Sequence, residues 1–165
     1  MASATFPKAL AFTLCFEGLW SDDPRDPGGA TMRGVTLATF RQFYPGATAT
    51  QLRNAPMLAF ETIYRKGYWA KINADALPAG VDLLAFDIAV NMGPARVLPW
   101  LAETAKLSPV ARIHALDAKR LGFWRALRTF PVFGKGWLRR ENACLKAALA
   151  LAESTAHTAP DGTRI

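Results

Sequence analysis

The sequence predicts one mostly α body, interrupted near residues 19–36 by a single Gly/Pro-rich loop or short hairpin. Three observations predict it. Apolar residues recur at helical spacing, as in Phe60, Ile63, Tyr64 and Tyr68, and again in Ile113, Leu116, Leu121, Trp124 and Leu127. Cap and first-turn pairs open two of the runs, Thr5 with Pro7 and Ser108 with Pro109. Between Gly18 and Gly34, prolines, glycines and aspartates crowd together and stop regular structure.

The elements follow in order. Residues 5–17 read as a helix capped by Thr5, with Leu10, Leu14 and Phe16 among its apolar positions. Gly18 ends it by accepting positive φ, which leaves Glu17 in the last turn. Pro24, Pro27 and Gly28-Gly29 then fold the loop back towards Glu17, and a short hairpin fits residues 31–36. Thr36 caps a helix through Phe40 and Phe43 that Pro45-Gly46 ends. Asn54 and Pro56 open the next helix, which closes at Tyr68-Trp69. Residues 81–92 form another, with Asp87 and Asn91 on one face, where polar groups on an apolar helix need partners or an opening to solvent. Pro94 starts a helix to about Lys106, and Ser108-Pro109 starts the helix that carries His114, read as a surface or satisfied core histidine. A last helix runs through Leu145 and Leu149 to about Ala152, with a frayed tail over 154–165.

With 165 residues, 51% of them hydrophobic and spread along the chain, one domain can bury a real core, and disorder is excluded. No uninterrupted apolar run reaches membrane-spanning length. The apolar run after Lys8 meets Glu17 before any small-residue cleavage site, so it reads as the first helix and not as a signal peptide. Synthesis in the cytoplasm, with access to the outside supplied by another agent, is the expectation. Cys15 and Cys144 make no disulfide framework and read as small hydrophobes on buried helix faces; no cofactor or metal is implied. The net charge of +7 is uneven. From Arg112 to Lys146 nine Lys/Arg stand against two acids, which suits a polyanion: cell-wall polymer, anionic lipid or nucleic acid.

A glutamate on a helix end and an aspartate on a returning loop are what acid-assisted cleavage of a glycosidic bond requires. Glu17-Gly18, the run Pro24-Arg25-Asp26-Pro27-Gly28-Gly29-Ala30-Thr31 and Gly34-Val35-Thr36 together resemble a known signature. It is that of the glycoside hydrolase family 108 N-acetylmuramidases, peptidoglycan-cleaving enzymes of phage endolysin and secretion-activator type. Leu19 and Trp20 stand where that family has a second glycine and a tyrosine. Three further blocks resemble it in order: Tyr64-Arg65-x-x-Tyr68-Trp69, Phe86 to Gly93, and Gly136-Trp137-x-x-Arg140, the last similar to the family's carboxy-terminal peptidoglycan-binding segment.

The resemblance implies a lysozyme-like body over 1–153, with a signature part to about residue 100 and a basic, wall-binding-like part to 153. It implies Glu17 as general acid, its proton held by apolar neighbours Phe16, Leu19 and Trp20 and by the loop acids. Asp26 would activate water and Thr31 orient it, similar to the Glu, Asp, Thr order of phage T4-type lysozymes; otherwise Asp26 builds the turn. Asp22 and Asp23 would line the loop rim. Trp20, Thr36, Trp69, Asp87 and Asn91 would bind sugar, or else serve as core, cap and inter-element ties.

The substrate would be bacterial peptidoglycan, cut at the β-1,4 bond between N-acetylmuramic acid and N-acetylglucosamine by a monomer acting in the periplasm or wall. Access would depend on a holin, and the basic half would meet the wall or an anionic outer membrane. A lytic transglycosylase, which needs only the glutamate, is the variant reading. A non-enzymatic basic module for nucleic acid or assembly is the rival, against which stands the absence of a recognisable DNA-reading motif.

Overall fold

A computed structural model describes residues 5–22 and 29–156. Helix α1 (Phe6–Leu14) carries Pro7 in its first turn, but Thr5 makes no side-chain cap; its hydroxyl donates instead to Asp82 in a later helix. The helix also stops three residues early. Phe16 N–H and Glu17 N–H reach back to Thr13 and Leu14 at 3.0 and 3.3 Å, the i→i+3 tightening common at helix ends. Gly18 is not among the positive-φ residues, so the chain leaves α1 without a left-handed cap. Cys15 is consequently exposed, whereas Cys144 is buried as expected.

The hairpin expected at 31–36 is present and has a third strand. β1 (Trp20–Ser21), β2 (Thr31–Met32) and β3 (Val35–Thr36) form an antiparallel sheet in that order, Trp20 opposite Met32 and Thr31 opposite Thr36. Arg33 and Gly34, both left-handed at φ 51° and 76°, form the two-residue turn whose twist suits a tight hairpin.

Helix α2 (Leu37–Phe43) starts at Thr36, whose hydroxyl accepts from Thr39 N–H at 3.2 Å. The five-residue α3 (Ala49–Arg53) was not foreseen; Thr48 and Gln51 close a capping box around its first turn. After α4 (Met57–Tyr64) the chain does not continue as α-helix to Trp69. It widens into a π turn over Arg65–Trp69 and tightens to a 3-10 turn over Ala70–Ile72 that left-handed Asn73 ends.

Helix α5 (Val81–Met92) has the bounds its sequence predicts, and every residue from Val81 to Ala89 is buried. A helix apolar on all sides belongs at the centre. Here α1, α6 (Pro94–Glu103), α7 (Pro109–Arg125) and α8 (Phe130–Ala156) pack around it. Gly80 lets α5 begin hard against α8: a Cβ there would lie 2.2 Å from the Ala148 carbonyl oxygen. Helix α6 ends before Lys106, while α8 runs unbroken through Gly134 and Gly136 and past Ala152, taking in residues expected to fray. One apolar cluster extends from Ala9 to Ala152. No described helix is long and apolar enough to cross a membrane.

Candidate active site

Glu17 sits in the bend between α1 and β1, its side chain 19% exposed. Four elements meet there. Arg140 Nη1 of α8 donates to Glu17 Oε1 at 3.0 Å, bridging 123 positions of sequence. On the hairpin side, a Cβ at Gly34 would fall 2.6 Å from Glu17 Oε2 and 2.8 Å from the Tyr64 hydroxyl, so only glycine leaves room for both groups. Tyr64 Oη donates to the Arg33 carbonyl at 2.7 Å, tying the hairpin turn to α4. Burial first, and then the charge of Glu17, pushes the Tyr64 and Tyr68 phenols above their ordinary pKa, so both remain neutral donors beside the carboxylate. The expected apolar shield is different in kind. Leu19 is 68% exposed, and the groups beside Glu17 are tyrosines, a glycine and a guanidinium.

Behind this pair lies a buried charge cluster. Asp87 of α5, fully buried, accepts from Arg120 Nη1 at 2.7 Å, Arg140 Nη2 at 2.8 Å and the Thr13 hydroxyl at 3.1 Å. Burial pushes the Asp87 carboxyl up, but hydrogen bonds and charge from Arg140 and then Arg120 outweigh it and hold it below the usual range. Arg120 also pairs with Glu141. Burial, and then a hydrogen bond to Asp117, pushes Glu141 up to about 8 against the pull of Arg120. Arg120 and Arg140 thus share Asp87, with Glu141 a second partner of Arg120 and Glu17 a second partner of Arg140. Arg140 gives Nε and Nη2 to Asp87 and Nη1 to Glu17, so the guanidinium is a rigid bracket for the Glu17 carboxylate.

Residues 10–93 match the glycosyl hydrolase 108 family. The chain belongs to that family. The solved structure of Brucella abortus SagA is similar to it at 34% identity, covering 90% of this chain and 95% of its own, with a TM-score of 0.79. A comparison with curated proteins returned no match. Membership makes the chain a glycoside hydrolase of the peptidoglycan-degrading kind, and its mostly α architecture is lysozyme-like.

In this family member the residues singled out in the sequence are scattered. Asp26 lies outside the described residues. Thr31 stands in β2 with its hydroxyl donating to the Gly29 carbonyl at 3.0 Å. Trp20 is half-buried, the Arg53 guanidinium lying 5.4 Å from its ring centre. Thr36 is engaged as a cap.

Trp69 is no sugar platform: it is fully buried against Phe6 and Phe86, with its indole N–H on Asp75. Asp87 is not a cleft floor open to sugar either, since its oxygens are taken by two arginines and a threonine. Asn91, one turn on, is exposed and borders a cavity of about 340 Å³ with Arg96, Trp124 and Trp137. A cavity of about 570 Å³ between α2, α3 and α4 does not touch Glu17.

Sequence reading missed Arg140, Arg120, Gly34, Tyr64 and Tyr68 as a set. A signal existed for Arg120. Positions 112, 116, 120 and 124 fall on one helical stripe, and all four are buried. A cation in an apolar stripe demands a buried anion, and Asp87 in an all-apolar helix demands a cation.

Proposed function

We propose that the protein is an N-acetylmuramidase that cleaves the β-1,4 bond between N-acetylmuramic acid and N-acetylglucosamine, with Glu17 as the general acid. The observation that carries this reading is Glu17 itself: part-exposed, bracketed by Arg140 and standing beside a glycine that keeps the space against its outer oxygen clear. Proton transfer from a positioned carboxyl is worth about 10²–10⁴-fold in rate. Asp87 anchors the other side of Arg140, so the guanidinium fixes where Glu17 stands. Asp26 activates water and Thr31 orients it, in which case the carboxyl groups stand about 6.5–9.5 Å apart and the product inverts. Trp20 offers an aromatic face to a sugar, and Arg139 attracts the anionic wall. The enzyme works as a monomer, is made in the bacterial cytoplasm and reaches the wall through a holin, as an endolysin does.

Glu17→Gln, with unchanged circular dichroism, abolishes wall clearing, and mass spectrometry of wild-type digests shows reducing N-acetylmuramic acid ends. Turnover above a few per cent in Glu17→Gln removes the acid role. Products ending in 1,6-anhydro sugars convert the reading to a lytic transglycosylase, and proton NMR of the first-formed anomer tests the Asp26 step.

A further inference from the structure

The junction of α7 and α8 carries an exposed surface that is both apolar and basic. Val132 is 73% exposed and Phe133 55% exposed on the first turn of α8. Phe133 stacks on Trp137 with ring centres 6.0 Å apart, and Trp137 stacks in turn on Trp124 at 5.6 Å. Apolar side chains this open on a helix end are not core. Around them Arg125, Arg128, Lys135 and Arg139 are all exposed. From residue 118 to residue 140 the chain contains no acid. Arg96 of α6 adds a further cation, its guanidinium 4.0 Å from the Phe123 ring centre.

We propose that this junction docks on an anionic lipid surface, Val132 and Phe133 entering the headgroup boundary while the arginines and lysine pair with phosphates. Aromatic and aliphatic residues ringed by Lys/Arg are the composition of helices that lie in a membrane interface. The charge decides against a second copy of the chain, because a symmetric pairing would set the same cations against each other. Against the anionic cell wall stand Val132 and Phe133, since a polar glycan gives such exposed apolar side chains no apolar phase to enter. The inference stands apart from the muramidase reading and can fail or hold independently of it.

The test is flotation of the full chain with vesicles of phosphatidylglycerol and phosphatidylethanolamine, beside vesicles of phosphatidylcholine alone and purified cell-wall sacculi. The wild type floats with the anionic vesicles, stays behind with phosphatidylcholine, and is released by about 0.5 M salt, where screening is nearly complete. Val132→Ser with Phe133→Ser lowers anionic-vesicle partition about tenfold or more. Arg125→Gln, Arg128→Gln and Lys135→Gln lower it by about fivefold each. Cleavage of short soluble glycans is unchanged in all of them. Equal partition of the double serine variant, equal binding to both vesicle types, or retention on sacculi with no vesicle binding overturns the proposal.

Discussion

The solvent face of α8 and the face it turns towards α5 read alike in sequence and behave in opposite ways. Both are basic and interleaved with apolar residues, and their adjacent arginines, Arg139 and Arg140, differ by one position. Arg139 is exposed, while Arg140 is 7% exposed and holds two carboxylates. One residue is 100° of helix, enough to turn a solvated charge into a structural one. Of the nine cations counted between Arg112 and Lys146, three are buried: Arg112 on the Leu101 carbonyl, Arg120 and Arg140 on Asp87. A charge total therefore overstates the surface available to a polyanion.

The contrast can be broken most severely at its shared anion. Asp87→Asn keeps the shape but leaves two buried guanidiniums undercompensated, so stability falls by about 3–5 kcal/mol, read from the denaturant midpoint. Full stability in that variant means the network relaxes to other partners. Next comes the adjacent pair. Arg140→Gln lets Glu17 swing and lowers wall cleavage about 100-fold, whereas Arg139→Gln leaves cleavage of short soluble glycans unchanged. Comparable losses in both variants, measured on the same glycan, would cancel the distinction between the two faces.

The acids give a smaller, pH-resolved effect. Asp87 is held below the usual range when folded, so its contribution is complete above the unfolded value of about 3.9 and is lost as pH falls through the lower folded one. Glu141 runs the other way. Its folded pKa is pushed up to about 8, so stability falls as pH rises between about 4.3 and that value. Glu141→Gln, neutral throughout, should flatten that fall in a series of denaturant midpoints; an unchanged slope means Glu141 is ionised in the fold. The smallest effect is local: Thr36→Ala removes one cap and costs about 1 kcal/mol.

Local features were legible because their causes are local. Gly80 and Gly93 bound α5, Thr36 caps α2, and the Arg33-Gly34 turn closes the hairpin, each by chemistry within a few residues. Five-residue α3 was not, since one turn carries no periodicity. Trp69 ends a π turn rather than an α-helix, which helical spacing from Phe60 onward does not announce, and its ring is fully buried. The position of Glu17 past α1, and the bracket that holds it, depend on α8, and no spacing near residue 17 announces a partner at residue 140.

That distance has a consequence for synthesis. Every signature block in 10–93 is synthesised before Arg140, and at about 5–20 residues per second the interval lasts a few seconds. Throughout it the nascent chain holds Glu17 and the glycine turn but lacks the guanidinium that aims the carboxylate. A chain cut before α8 would keep the family's motif and lose the Arg140 contact to Glu17. The Glu17–Arg140 bracket therefore forms only once α8 has been added to the signature part.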